Sequence, residues 1–141
     1  MAVKQTLPPD LDRRLVTLGD AIAGACPEVE FAYLFGSAAS GRLTPRSDVD
    51  VAIRVSDHAD RPAVRLEALH AASRHLGTDL VDVVLLNTAP LSLAGRILTT
   101  RRVLLDRVPF ARHRYESATA RMFQDFRIRE HRLLAARYGR G

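Results

Sequence analysis

At 141 residues and 15.6 kDa, with 47% hydrophobic and 26% charged residues, the chain has the size and composition of one globular domain and not of a disordered or fibrous protein. It holds no apolar run long enough to cross a bilayer and no charged-then-apolar leader, and its single cysteine, Cys26, excludes an internal disulfide; together these point to a cytoplasmic protein without a membrane partner. The formal charge of +5 is concentrated late in the chain: from Arg101 to the end, eleven arginines stand against Asp106, Glu116, Asp125 and Glu130, so the basic excess belongs to the tail.

Pro8-Pro9-Asp10 opens the first predicted helix, since proline is tolerated only at a helix start and an acidic residue there suits the dipole. Leu11, Leu15, Leu18, Ile22 and Ala25 recur at helical spacing until Cys26-Pro27 stops it, which makes Cys26 a buried structural thiol. Val29 to Phe35 (VEFAYLF) is rich in β-branched and aromatic residues and reads as a strand. An irregular loop follows, with Gly36-Ser37 at its head and Ser40-Gly41 and Thr44-Pro45 within it. The second strand alternates strictly: Val49, Val51, Ile53 and Val55 on one face, Asp48, Asp50, Ala52 and Arg54 on the other.

A polar connector (SDHADR) leads to a helix over Pro62 to Leu76, with Val64, Leu66, Leu69, Ala72 and Leu76 as its apolar side and Gly77 as its cap. His70 and His75 belong to it as surface or packed groups, for no ligand constellation surrounds them. Leu80 to Leu86 (LVDVVLL) is a third strand, nearly all apolar and so expected to be buried. Ala89-Pro90 starts a helix carrying Leu91, Ala94 and Leu98, and Val103 to Leu105 is a short edge strand. Pro109 to Arg137 is a helical segment or pair of segments whose apolar side runs through Tyr115, Ala118, Met122, Phe126, His131, Leu134 and Tyr138, expected to dock on the sheet or on a partner chain.

The chemistry gathers at two places. Asp48 and Asp50 are two residues apart on a strand, so both carboxylates project from the same face, where they repel unless a cation stands between them. Mg²⁺ is the usual cation, taking oxygen ligands from one or two carboxylates and from substrate phosphates. Gly36 allows close backbone approach, and its N–H with the Ser37 hydroxyl can bind phosphate oxygens. Asp82, in the middle of an apolar strand, is costly unless it is paired or holds a metal, whereas Asp79 at the strand's start needs no explanation. An ion pair from Asp82 to Arg54 or another basic group stays open as the structural reading.

The pattern Gly36-Ser37, ten residues, then Asp48-Val49-Asp50 resembles the signature of the polymerase-β-type nucleotidyltransferases, and the short chain resembles their minimal nucleotidyltransferase branch, whose members often act as antitoxins of HEPN-domain toxins. The resemblance covers about residues 10–107 and implies an α/β (α+β) fold: a small mixed sheet flanked by helices, in one domain over 1–141 with a helical extension over about 108–138. It implies two Mg²⁺ ions held by Asp48, Asp50 and Asp82, with Asp82 matching the third carboxylate of the family, and ATP as substrate with its phosphates at Gly36 and Ser37. Where relatives often carry arginines after the Gly-Ser, this chain has Ala38 and Ser40; Arg42 and Arg46 lie in the same loop, and Arg46 joins the candidate phosphate contacts, with solvation as the alternative for both. The implied acceptor is a tyrosine hydroxyl of a cognate toxin that receives AMP. The competing readings are a small-molecule transferase of the aminoglycoside-modifying sort and a non-catalytic nucleotide-binding antitoxin; nucleic acid is not expected as a substrate, because the basic tail lacks evident stacking residues.

Overall fold

A computed structural model describes residues 6–138. Its centre is a four-stranded mixed sheet of order β3-β2-β1-β4, made by β1 (Val29–Phe35), β2 (Val49–Val55), β3 (Val81–Leu85) and β4 (Arg102–Asp106). β1 pairs antiparallel with both β2 and β4, while β3 lies parallel to β2 and is reached through a helical crossover. The central pair is apolar on both faces and buried from both sides. One face, carrying Val49, Val51, Ile53, Val81 and Val83, is covered by α1 (Leu11–Val16), α2 (Leu18–Ala25) and α4 (Arg61–Leu76). The other, carrying Phe31, Tyr33 and Ala52, is covered by α5 (Leu91–Thr100) and the first half of α6 (Pro109–Tyr138).

The expected single first helix is two, broken at Thr17. Thr17 N–H donates to the Arg14 carbonyl in a tighter turn, and its hydroxyl lies 2.8 Å from Nε2 of His75, which is itself 3.0 Å from the Arg14 carbonyl oxygen. His75 is thus a packed histidine that ties α4 to the break. Cys26 is buried, as expected, and burial foremost, with Glu67 and Glu28 adding, holds its thiol pKa above the ordinary value. On α4 the buried side is Val64, Ala68, Ala71, Ala72 and Leu76; Leu66 faces solvent. Asp60 caps this helix by accepting from the Ala63 N–H at 3.2 Å, and Gly77, at φ 70°, ends it in the left-handed conformation.

β3 is an edge strand and not the buried one its composition suggested. Asn87, just past it, closes the sheet end: its Oδ1 accepts from Val55 N–H at 3.0 Å and its Nδ2 donates to the Val55 carbonyl at 2.9 Å, replacing a strand neighbour. At the opposite edge Arg107 donates to the carbonyls of Cys26 (2.7 Å), Val29 (3.0 Å) and Ala23, so one arginine of the basic tail caps the C-terminus of α2 and is structural.

Candidate active site

β1 delivers the chain to Gly36 at the edge of the α5 side, and β2 carries Asp50 directly opposite Phe35. Gly36 has φ 67°, and a Cβ there would stand 2.7 Å from Oδ2 of Asp50. Both facts demand glycine: only it accepts this dihedral without strain, and only it leaves room for the carboxylate. Ser37 begins a four-residue helix, α3 (Ser37–Ser40), within what the sequence presents as an irregular loop. The Gly36 carbonyl accepts from Ser40 N–H at 3.1 Å and from the Ser40 hydroxyl at 3.0 Å, so the turn is closed by its own polar groups. The loop then returns through a Thr44–Ser47 turn, in which Thr44 N–H donates to Ser47 Oγ at 2.9 Å and Ser47 N–H to the Thr44 carbonyl at 3.0 Å, setting the entry to Asp48. Arg42 and Arg46 are both exposed on this loop.

The Gly36 N–H is not free for a phosphate. It donates to Oγ1 of Thr100, at the end of α5, over 3.2 Å. Thr100 gives no sequence signal, being one exposed hydroxyl in a Thr-Thr helix end.

The carboxylates share one face. Asp50 stands beside Asp82 in the parallel register of β2 and β3, and Asp48 precedes β2 by one residue, where it is exposed. Burial first, then the negative charges of Asp82 and Asp48, push the Asp50 carboxyl above the usual carboxylate range. A field of this kind suits a hard divalent cation with oxygen ligands, and Asp48, Asp50 and Asp82 are the groups that could hold one. Among the described residues no three ligating side chains are already gathered for a metal ion. Asp82 is turned to Arg65 of α4, whose Nη2 is 3.6 Å from Oδ1 while its Nε donates to the Val83 carbonyl at 2.7 Å.

Asp82 therefore needs a different argument from the one its neighbours in sequence suggest. Its side chain is 54% exposed, so no burial cost calls for a metal; its place next to Asp50 is what makes it a candidate. The basic partner left open by sequence is Arg65, since Arg54 pairs instead with Glu30 and Asp57. Asp79 is exposed and lines a separate cleft with His70 and Arg74.

Gly36→Ala is expected to cut transfer by about tenfold or more and to cost about 1–3 kcal/mol of stability, because it forces both the strained dihedral and a displacement of Asp50. Steady-state pyrophosphate release together with urea unfolding checks it; unchanged turnover would show that the Gly36–Asp50 contact is incidental.

No helix among the described residues is long and apolar enough to cross a membrane. Several solved structures share the fold. A chain in a crystal structure of a toxin–antitoxin pair, MntA–HpeT, in mutant form, matches with a TM-score of 0.70 and 21% identity, covering 86% of this chain and 96% of that one. A chain of a toxin–antitoxin crystallised with AMP-PNP matches at 0.67 and 23%, covering 89% and 96%. A chain from the complex of a tri-AMPylated Shewanella oneidensis HEPN toxin with an MNT antitoxin matches at 0.65 and 21%, covering 89% and 97%. At such identities the likeness is one of fold. No curated protein matches. The family model described as polymerase beta, nucleotidyltransferase matches residues 20–109, more than half of the chain and all four strands, which include the Gly36 turn and the three carboxylates. The chain belongs to the polymerase beta nucleotidyltransferase family.

Proposed function

We propose that this nucleotidyltransferase moves AMP from ATP to a hydroxyl of a partner protein, a tyrosine of a cognate HEPN toxin, and silences that toxin as its antitoxin. The observation that carries the reading is the cluster of Asp48, Asp50 and Asp82 on one sheet face, dense enough in charge to hold Asp50 above its ordinary pKa, with Gly36 packed against it. The fold neighbours add context: one was crystallised with AMP-PNP and another with an AMPylated toxin.

In this reading Asp48 and Asp50 hold two Mg²⁺ ions and Asp82 shares one of them; bound there, the ions neutralise charge that develops on the phosphates. The chain's own groups do the positioning. The β- and γ-phosphates lie against the Ser37 hydroxyl and the first amides of α3, which have no acceptor within the helix, and Arg46 lies within the same loop. The acceptor oxygen attacks the α-phosphorus, forming an O–P bond as the bond to the β-bridging oxygen breaks. Pyrophosphate leaves with that electron pair, and the hydroxyl proton passes to the Asp82 carboxylate. Opening the Asp82–Arg65 pair, loose at 3.6 Å and solvent-exposed, costs about 1 kcal/mol or less.

The test is transfer of label from ATP carrying the isotope at the α- or the γ-phosphate, in host lysate with Mg²⁺, with Asp48→Ala/Asp50→Ala as control. A protein band labelled from α-ATP alone and absent in the control is expected, with the acceptor identified by mass. Label from γ-ATP would make the reaction phosphoryl transfer, and pyrophosphate release without a labelled protein would make the acceptor a small molecule. Ser37→Ala is expected to raise the KM for ATP by about three- to thirtyfold with kcat less affected, the worth of one hydrogen bond to a charged group. An unchanged KM would leave the serine as a turn residue only.

A further inference from the structure

We propose that the outer half of α6, with the groove it forms against α5, is the docking surface for an acidic protein partner that presents apolar side chains. The inference rests on the reading that the acceptor is a protein, and it says where on this chain that protein sits.

Helix α6 begins at Pro109, where the family match ends, and runs 30 residues. Its first half is anchored: the Tyr115 ring packs on Phe31 at 5.8 Å, Thr119 is buried, and Phe123 lies directly on Gly95 of α5. From Gln124 to Tyr138 every residue is exposed. That is roughly 22 Å of helix with no support from this chain, at a rise of 1.5 Å per residue. An unpacked helix of this length is marginal in water, so a partner is its natural source of stability.

The outer half is not polar all round. The stripe that holds Tyr115 and Thr119 on the body continues at alternating steps of three and four as Met122, Phe126 and Leu133, which are 52%, 41% and 59% exposed, with Leu134 beside it at 48%. Apolar groups at this spacing are the anchors of helix-mediated recognition. The groove between α5 and α6 is the inner end of the same surface. It encloses about 470 Å³, is walled by Gly95, Leu98 and Phe123, and has Arg101 and Glu116 on its lining. Phe123 stacks with Phe126 at 6.5 Å between ring centroids, so groove and stripe are continuous.

Charge selects the occupant. Over residues 121–138, five arginines (Arg121, Arg127, Arg129, Arg132 and Arg137) stand against Asp125 and Glu130, leaving +3. Two copies of this helix laid together would oppose +3 to +3, whereas an acidic surface would be complementary. Single-stranded RNA would meet the arginines but leave Met122, Leu133 and Leu134 unused. The groove's α5 wall ends at Thr100, which holds the Gly36 amide, so a partner seated here lies against the helix that fixes the catalytic turn.

The test uses the full chain and the purified HEPN-domain toxin of the proposed reading, with affinity measured by calorimetry and complex size by ultracentrifugation. Phe126→Glu/Leu133→Glu is expected to weaken binding by about 100-fold, and Arg129→Glu/Arg137→Glu by about tenfold, with the wild-type complex loosening as salt rises. Titration of labelled ATP in the absence of toxin should be the same for all three proteins, and circular dichroism should show equal helix content. A wild-type complex untouched by either pair overturns this surface and leaves the proposed function standing. Absence of any wild-type complex overturns the protein-acceptor reading and this inference with it. Phe126-dependent self-association of the chain alone would make a second copy the occupant, and RNA binding lost in both variants while toxin binding persists would make it nucleic acid; each overturns the proposal.

Discussion

Asp50→Asn is expected to abolish nucleotidyl transfer, by about 10³-fold or more, while the metal-free variant is at least as stable as the wild type. The loss follows from the chemistry: an amide oxygen is a poorer cation ligand than a carboxylate, and charge stabilisation by a bound metal is worth several kcal/mol, where each 1.36 kcal/mol is a factor of ten in rate. The gain or neutrality in stability follows from electrostatics. Burial and the charges of Asp82 and Asp48 hold the Asp50 carboxyl above its ordinary pKa, so the native state binds a proton that the unfolded chain has already released. Between the two pKa values the native state is the more protonated, and wild-type stability therefore falls as pH rises through that window and stays lower above it. The asparagine variant lacks this component. Urea unfolding in EDTA at several pH values, beside pyrophosphate release with Mg²⁺, reads both halves. A variant that keeps normal turnover would remove Asp50 from the site, and one clearly less stable than wild type at neutral pH would contradict the electrostatic account.

Such a trade between stability and chemistry was partly legible in the residues. The strands β1 and β2 follow from the apolar run and the strict alternation, and because alternation also fixes the face, the common direction of Asp48 and Asp50 follows from spacing alone. Helix α4 and its cap at Gly77 follow from local signals as well. What failed depended on partners distant in sequence. The break at Thr17 involves His75, 58 residues away. The burial assigned to Asp82 assumed a central strand, but sheet order puts β3 at an edge, and no local pattern encodes order. The apolar side of α6 was displaced too: the buried position is Thr119 and not Ala118, and Arg112 and Glu116 turn toward the body. A hydrophobic periodicity cannot find a face that is held by ions.

That ionic face is the basis of the second large effect: Glu116→Ala is expected to destabilise the protein by about 3 kcal/mol. The Glu116 side chain is only 13% exposed. Its Oε2 accepts from the Tyr33 hydroxyl at 2.7 Å and from Arg101 Nε at 2.9 Å, and its Oε1 is 3.1 Å from Nη1 of Arg112, whose Nε faces Asp106 at 3.0 Å. The Arg112–Asp106 contact is ionic without a well-aligned hydrogen bond, so Glu116 is the better-bonded partner of that arginine. Removing the carboxylate leaves a half-buried guanidinium and a buried hydroxyl without their acceptor, the costly way to break such a group; the low end of the usual 3–5 kcal/mol applies because Arg101 is about one-third exposed. Burial alone would raise the Glu116 pKa, but the hydrogen bonds from Tyr33, Arg101 and Arg112 together outweigh it and hold the carboxyl below its ordinary value. The stability it confers is therefore fully present above the unfolded glutamate pKa and lost as pH falls through the lower, folded one. Urea denaturation of wild type and variant should show the largest gap near neutral pH, closing in acid. Glu116→Gln, which keeps one acceptor, should lie between them and lack that part of the acid dependence. Since the network joins β1 to the root of α6, equal stabilities at neutral pH would mean that apolar packing through Tyr115 and Phe123 alone fixes the helix.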